Sequence, residues 1–391
     1  MAPRKPGRIP SSQAMAVKPN AVDIPQMMEE MAVTSVVGMA AFAGGLLFGA
    51  VVQRTHFCTM GAIADLVLFQ DWRRMRAWLL AMGIAILGSQ ILDFFGHVEL
   101  SGSLYRASDV LWLGALLGGG LFGFGMTLTG GCGSRNVVRF GAGNLKSLVV
   151  LLVMGVVGYM TMNGLLALPR LQLEAIGGIA STDQGLVSGL GLGGSAALAL
   201  SMIIAVPLLV FCFKDKKFRK SPRDMAAGLV LGSLIPFGWL VTGMLGADDF
   251  EPVPLASFSF VAPVSRGLIY LMTFPSATIS FGIAAVGGVL LGAFIAARLS
   301  GDFRIEGFAG LDDLVRHLIG AAMMGIGGVL GLGCTIGQGM TGLSTLAAGS
   351  FLTVGAIIVG GIFGVRYLEQ GSLTAAARTM MPGLGAERSG G

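Results

Sequence analysis

Apolar runs of membrane-crossing length recur along this chain from residue 32 onward. Residues 147–168, for example, contain no Asp, Glu, Lys or Arg, and about 20 apolar residues suffice for a helix to cross a bilayer. Only 12% of the 391 residues are charged, whereas soluble proteins carry about 25%. Inside a bilayer the backbone must satisfy its own hydrogen bonds, and these unbroken runs lack the alternation of a barrel strand. The sequence therefore predicts an all-α polytopic membrane protein.

About nine of these runs are long enough to be transmembrane helices. They cover approximately residues 32–52, 77–96, 110–129, 147–168, 186–213, 224–246, 276–298, 317–333 and 351–367. Residues 97–109 and 169–185 are predicted to be polar loops. Two further apolar segments, residues 62–69 and 265–274, are too short to cross a bilayer. We predict that both are short helices, broken or re-entrant, at the centre of the protein.

Two glycine-rich stretches, Leu121–Lys146 and Gly325–Ser350, share one pattern. In each stretch an apolar helix ends at a Gly-Cys pair, and a loop of small and polar residues leads into another apolar run. Each half of the chain contains four spans and one short segment in the same order, and one extra span separates the halves. A copy of four spans begins and ends on the same side of the membrane, so the one extra span places the start of the second copy on the opposite side. The second copy is therefore predicted to be inverted in the membrane, as in transporters built from inverted repeats.

These patterns divide the chain into five parts. Residues 1–30 are predicted to be a disordered polar tail, and residues 369–391 a flexible carboxy-terminal tail. Residues 31–185 are predicted to form the first membrane repeat and residues 224–368 the second. Residues 186–223 are predicted to form a linking helix and a basic cytoplasmic loop.

Basic residues determine the predicted orientation. The basic turns 73–76, 135–146 and 214–223 fall on one side of this topology, whereas the acidic loop 248–251 falls on the other. Lys and Arg concentrate in the cytoplasmic loops of membrane proteins. The prediction is therefore a periplasmic amino terminus and a cytoplasmic carboxy terminus, although the basic residues of the amino-terminal tail favour the opposite orientation.

The four cysteines contain no Cys-x-x-Cys pair, and only three histidines are present, so neither a structural zinc site nor a cofactor is predicted. The apolar surroundings of the cysteines argue against a disulfide framework. Cys132 and Cys334 lie at equivalent breaks of the two repeats, which indicates a place on a permeation path. Cys212 is expected to be a packing residue. For Cys58, a path role and an interfacial helix end beside Arg54 both stay open.

Residues that follow the two breaks are further path candidates. Backbone N–H groups at a broken helix can bind an anion, and a thiol can donate a weak hydrogen bond to it. Arg135 and Asn136 follow Cys132 closely enough to face the path and attract an anion. Thr335 and Gln338 are their uncharged counterparts in the second repeat. These features are typical of a protein that conducts an anion.

Three pieces of this sequence resemble the YeeE/YedE family of sulfur-transport membrane proteins. They are Arg54–Cys58 (RTHFC), Gly123–Cys132 (GFGMTLTGGC) with Arg139–Asn144 (RFGAGN), and Gly333–Ser344 (GCTIGQGMTGLS). The last piece is the most specific, and the resemblance covers about residues 35–367. It leaves out the long amino-terminal tail.

This resemblance implies an hourglass-shaped inverted repeat with three functional cysteines, which match Cys58, Cys132 and Cys334. It also implies uptake of thiosulfate or a closely related sulfur oxyanion across the bacterial inner membrane, by S–H hydrogen bonds without covalent reaction. A small cytoplasmic sulfur-carrier protein of the TusA type is the implied partner. The predicted substrate pathway is lined by Cys58, Cys132, Cys334, Gly131, Gly133, Arg135, Asn136, Gly333, Thr335 and Gln338.

Two alternatives to this function stay open. The first is transport of another sulfur or selenium species, or of another small solute. The second is a thiol-based membrane sulfur-transfer protein, which would need a thiolate of lowered pKa. The sequence contains no Walker motif, so no ATP-driven coupling is predicted. The preferred prediction is a transporter and not an enzyme.

Overall fold

The computed structural model of this protein describes residues 24–106, 109–179, 183–186, 194–247, 253–276 and 278–380. The predicted acidic loop 248–251 lies outside the described residues. Residues 1–23 and 381–391 of the two predicted tails also lie outside them.

Helices account for nearly all of the regular structure in the described part of the chain. In the first half they are α1 Ile24–Thr55, α2 Thr59–Phe69, α3 Arg73–Phe94, α4 Trp112–Leu128, α5 Gly133–Gly141, α6 Leu145–Asn163 and α7 Ala167–Gly177. They continue as α8 Gly194–Lys214, α9 Lys216–Arg219, α10 Pro222–Leu240, α11 Val261–Met272, α12 Phe281–Ser300, α13 Leu311–Leu330, α14 Ala348–Gln370 and α15 Leu373–Met380. Two short antiparallel strands, β1 Val110–Leu111 and β2 Gly178–Ile179, pair with each other.

Nine helical segments of the described chain are long and apolar enough to cross a membrane. They are α1 with α2, α3, α4 with α5, α6, α8, α10 with the π-helical turn Val241–Leu245, α12, α13 and α14. This confirms the prediction of an all-α polytopic membrane protein. The short apolar segments of the two halves are also helical, as α2 and α11.

Two parts of the chain are more regular than the sequence predicts. The predicted polar loop 169–185 is wrong in its first part, because α7 occupies residues 167–177. An ion pair of 2.9 Å between Arg170 and Glu174, one turn apart, supports this short helix. In the predicted tails, α1 already begins at Ile24 and α15 occupies Leu373–Met380.

The two halves of the chain pack into each other. Helix α1 packs along α12, and α3 packs along α10. Helix α4 lies against α14, and α6 lies against α13, while α4 and α13 also contact each other. Every one of these contacts joins the first half to the second. If α1, α3, α4 and α6 are equivalent to α10, α12, α13 and α14, exchanging the halves interchanges α1–α12 with α3–α10 and α4–α14 with α6–α13, and it leaves α4–α13 unchanged. This pattern is expected of a repeat, and the inverted relation of the two copies stays a prediction.

Glycines allow the closest of these helix contacts. A Cβ atom on Gly49 of α1 would overlap the Val289 carbonyl oxygen of α12, and one on Gly292 of α12 would overlap the Leu46 carbonyl oxygen of α1. Small residues let helix backbones approach one another in membranes, where van der Waals packing drives association. The high glycine content is therefore largely explained by packing.

The loop 142–144, between α5 and α6, joins the two halves through Asn144. The Asn144 side-chain oxygen accepts a hydrogen bond of 3.0 Å from Ser147 N and so caps α6, and the Asn144 amide nitrogen donates to Glu306 Oε2 at 2.7 Å. Two backbone bonds, from Leu145 N to Glu306 O and from Arg304 N to Ala142 O, extend this contact.

Replacing Asn144 with alanine is expected to lower the midpoint of thermal unfolding by about 1 °C or more, because the lost cap alone is worth about 1 kcal/mol. Thermal unfolding of the detergent-solubilised protein measures this change. Asn144→Ser retains a capping oxygen, so its unfolding midpoint should lie between those of the wild type and Asn144→Ala. An alanine variant as stable as the wild type would show that the cap and the Glu306 contact contribute nothing.

Candidate permeation pathway

Two helix breaks in the first half place a cysteine at the start of a new helix. Helix α1 ends at Thr55, His56 adopts a left-handed conformation (φ 55°), and Cys58 is the N-cap of α2. Helix α4 ends at Leu128, and Cys132 is the N-cap of α5. Neither cysteine side chain forms a capping bond. Each thiol therefore lies at a helix N-terminus, where backbone N–H groups lack intrahelical partners and the helix dipole is positive.

The thiols of Cys58 and Cys132 are neighbours and interact with each other. Both are free thiols, as are the other two cysteines. Cys132 is 1% exposed, Cys58 is half-buried, and Cys132 Sγ lies 3.2 Å from the Ser134 hydroxyl oxygen. The structure thus places Cys58 directly beside Cys132. From the sequence alone, Cys58 could be either a path residue or an interfacial helix end.

A third break lies between α13 and the π-helical turn Gly337–Gly342. Cys334 is fully buried there, and its sulfur accepts a hydrogen bond of 3.3 Å from Gly337 N. The hydroxyl group of the next residue, Thr335, faces the Cys132 thiol. This hydroxyl is buried and has no partner of normal hydrogen-bond geometry among the described residues. The second-half break therefore reaches the cysteine pair of the first half through Thr335.

Asn136 and Gln338 hold the two equivalent breaks in the same way. Asn136 Nδ2 donates to Gly131 O at 3.0 Å and to Cys132 O at 3.1 Å, and Gln338 Nε2 donates to Gly331 O at 2.6 Å. Each backbone N–H also bonds the carbonyl of the cysteine four residues earlier. Both side-chain oxygens are buried without a partner in the described structure. These two predicted path residues therefore fix the shape of the breaks, and each leaves one acceptor free.

The glycines predicted to line the path have ordinary backbone conformations. Gly131, Gly133 and Gly333 all lie outside the left-handed region, whereas Gly130, which is not among the predicted path residues, has a φ of 67°. A side chain on Gly131 would lie 3.1 Å from Arg135 Cγ. Gly130 therefore provides the turn, and Gly131 provides space for the arginine.

A cavity of about 540 Å³ lies beside the Cys58 break. Arg135 lines it and bonds two neutral acceptors, Val52 O at 3.3 Å and His56 Nδ1 at 3.1 Å. The other charged or ionisable side chains that line it are Arg139, Lys146, Asp302, Arg304, Glu306, Asp313, Arg316 and His317. Basic groups exceed acidic ones, so the cavity suits an anion.

Residues 183–186 contact loops near the third break. Arg106 Nε donates to Asp183 Oδ1 at 3.0 Å, and Ala348 N donates to Gln184 O at 3.0 Å. A cavity of about 10 Å³, lined by Gln184, Gly331 and Gln338 among others, lies beside these contacts and is hardly large enough for one water molecule.

Besides Thr335 and Gln338, the third break is surrounded by polar groups that the sequence did not predict. Gln90 Nε2 donates to Ser344 O at 2.8 Å, and Trp239 Nε1 donates to Ser344 Oγ at 3.1 Å. The Tyr105 phenol lies near Gly337, and burial raises its pKa, so the phenol stays neutral. The sequence signals for this cluster are Ser344, in the glycine-rich stretch after Cys334, and Gln90, a polar residue within an apolar span.

The structure also identifies partners for two carboxylates in apolar segments. Asp65 of α2 lies 3.3 Å from Arg74 Nη1, and Asp93 Oδ1 accepts a hydrogen bond of 2.8 Å from Leu100 N. Carboxylates at such positions usually have a partner or face a functional site. Both partners lie at helix ends, which favours a structural role for the two groups.

Discontinuous helices whose ends meet buried thiols and polar side chains are typical of membrane transporters. The chain matches the family model described as sulphur transport over residues 54–363, and it belongs to that family. It is 25% identical over 308 residues to the "Thiosulfate transporter TsuA" of Escherichia coli (strain K12), covering 76% of this chain and 84% of that protein.

Two further relatives support this assignment. A "Thiosulfate transporter TsuA" of Spirochaeta thermophila is 25% identical over 316 residues, which cover 78% of this chain and 90% of that protein. A "Probable transporter YedE" of Salmonella typhimurium is 32% identical over 90 residues, which cover 22% of this chain and 20% of that protein. These comparisons confirm the resemblance drawn from the three sequence pieces.

Proposed function

We propose that this protein takes up thiosulfate, or a closely related sulfur oxyanion, across the bacterial inner membrane along Cys334, Cys132 and Cys58. The observation that carries the proposal is the meeting of two helix N-termini, those of α2 and α5, at one pair of interacting thiols. Two positive helix ends and two S–H donors at one point favour an anion. The names of the two long relatives support thiosulfate as that anion.

A non-covalent relay accounts for the arrangement. A dianion that leaves water needs compensating donors at each position, and weak thiol donors compensate it without holding it tightly. Thr335, whose hydroxyl group faces Cys132, offers a donor between the second-half break and the cysteine pair. No bond to sulfur forms or breaks in this mechanism, so no reductant is required and the protein is a transporter only.

The proposed direction of transport follows from the charge distribution. The Cys58 break lies beside the basic cavity, which is lined by Arg135, Arg139 and Lys146 of the basic segment 135–146 that the positive-inside rule assigns to the cytoplasm. The Cys334 end then faces the periplasm, with the amino terminus periplasmic and the carboxy terminus cytoplasmic. A TusA-like carrier, implied by the family resemblance, would work with the transporter at the cytoplasmic face.

Uptake of labelled thiosulfate into proteoliposomes tests the proposed function. Wild-type protein should accumulate label well above empty liposomes, and Cys58→Ala and Cys334→Ala should each lower the initial rate by about 10-fold through the loss of one donor to a charged ligand. A folded wild-type protein that accumulates no label would contradict thiosulfate as the substrate. Uptake of another sulfur or selenium anion in the same vesicles would then identify the alternative.

A further inference from the structure

Arg139 of α5 is a half-buried cation without a partner. Its side chain folds over the second helix break, so that Arg139 Nη1 lies 3.4 Å from the position of a Cβ atom on Gly130. In the described part of the chain, no carboxylate pairs with it and no acceptor bonds it. A guanidinium group that is partly removed from water without an acceptor is costly to the folded protein.

Arg135 lies one turn earlier on the same face of α5 and has no carboxylate partner either. Both of its acceptors are neutral, and both arginines line the basic cavity beside the Cys58 break. Like charges four residues apart destabilise a helix. An anion between the two guanidinium groups would remove this repulsion.

The acidic residues of the cavity are occupied elsewhere. Asp313 Oδ2 pairs with Lys146 at 2.7 Å, and Asp313 Oδ1 pairs with Arg316 at 3.0 Å. Glu306 accepts from Asn144 and Asp302 accepts from Ser300. The cavity therefore contains carboxylates, but none of them neutralises the arginine pair.

We propose that Arg135 and Arg139 form an oxyanion subsite beside Cys58, which binds a small tetrahedral dianion through its sulfonate or sulfate oxygens. This inference rests on the proposed function, because it assigns the oxygen end of the transported ion to the arginines and its terminal sulfur to the thiols. A guanidinium group binds two oxygens of such an ion at once, which a lysine cannot do. Sulfate presents the same oxygens without the terminal sulfur, so it should occupy the subsite and inhibit uptake.

Isothermal titration of sulfate into the full-length protein in detergent, at constant ionic strength, tests the subsite. Wild type should bind sulfate, and Arg139→Gln should weaken binding by about 10-fold or more through the loss of charge-assisted bonds. Arg54→Gln is the matched control, since it removes one positive charge from an exposed arginine that does not line the cavity. Wild type that binds no sulfate, or an equal loss in both variants, would overturn the subsite.

A second variant covers the case in which Arg139→Gln does not fold. Arg139→Lys keeps the charge but loses the two-point contact, and it should bind sulfate more weakly than wild type. Equal affinity in the lysine variant would also overturn the subsite. Because sulfate binding is measured without transport, failed thiosulfate uptake with intact sulfate binding would count against the proposed function alone. Normal uptake without sulfate binding would count against the subsite alone.

Discussion

Replacing Cys132 with alanine should lower the initial rate of thiosulfate uptake by about 10- to 100-fold and leave the protein folded. Cys132 is the thiol through which the two halves of the proposed path meet, because it interacts with Cys58 and faces the Thr335 hydroxyl group. A hydrogen bond to a charged ligand is worth about 1.5–3 kcal/mol, and about 1.4 kcal/mol corresponds to a tenfold change. Uptake in proteoliposomes, normalised to the amount of folded protein, measures the loss.

Cys212→Ala is the matched control for this variant. Cys212 is also a buried free thiol, but its Sγ donates a hydrogen bond of 3.2 Å to the Arg76 carbonyl oxygen and so joins α8 to α3. The rate of uptake by Cys212→Ala should stay close to that of the wild type. Cys132→Ser keeps a hydrogen-bond donor and should transport faster than Cys132→Ala. Full transport by Cys132→Ala would remove this thiol from the path.

The serine variant also separates the relay from covalent sulfur transfer. A hydroxyl group can donate a hydrogen bond but cannot form a persulfide, so a transfer mechanism requires Cys132→Ser to be as inactive as Cys132→Ala. Mass spectrometry of the intact protein during turnover gives a second measurement. A sulfur adduct that forms and decays as fast as thiosulfate enters would favour the transfer mechanism.

The transmembrane helices of this protein could be predicted because hydropathy reports on them directly. Apolar length determines whether a segment crosses a bilayer, and the short segments α2 and α11 were separated from the spans for the same reason. The breaks at Cys132 and Cys334 were visible because glycine and cysteine interrupt an apolar run twice in one pattern. The helix α7 was missed because its apolar residues are too few to form a span and its charges suggest a loop.

Contacts between distant parts of the chain could not be predicted in this way. The neighbouring positions of Cys58 and Cys132 result from how α2 and α5 begin, which local sequence does not encode. The sequence placed Asn136 and Gln338 near the path, but only the structure shows that their amide groups hold the breaks. Their roles depend on which carbonyl group each amide bonds, and that partner is determined by the three-dimensional shape of the break and not by the local sequence.

Replacing Gly123 with alanine should destabilise the protein by about 3 kcal/mol and lower uptake with it. A Cβ atom on Gly123 would overlap the Ile357 carbonyl oxygen of α14 and lie 2.8 Å from Gly361 N, and both neighbours are backbone atoms that cannot rotate away. Overpacking of a close contact costs about 1–3 kcal/mol. Helix α4 would have to move away from α14, and because α4 leads into the Cys132 break, the thiol would move with it.

Gly120→Ala is the control for this prediction, since it makes the same change one turn earlier in the same helix. A Cβ atom on Gly120 would have no neighbour within 4 Å, and alanine favours a helix more than glycine does. Gly120→Ala should therefore unfold at or above the wild-type temperature and transport normally, while Gly123→Ala unfolds earlier. If both variants unfolded at the same temperature, the α4–α14 contact would not depend on the missing side chain. If Gly123→Ala were unstable yet transported at the wild-type rate per folded molecule, the position of α4 would not control the Cys132 break.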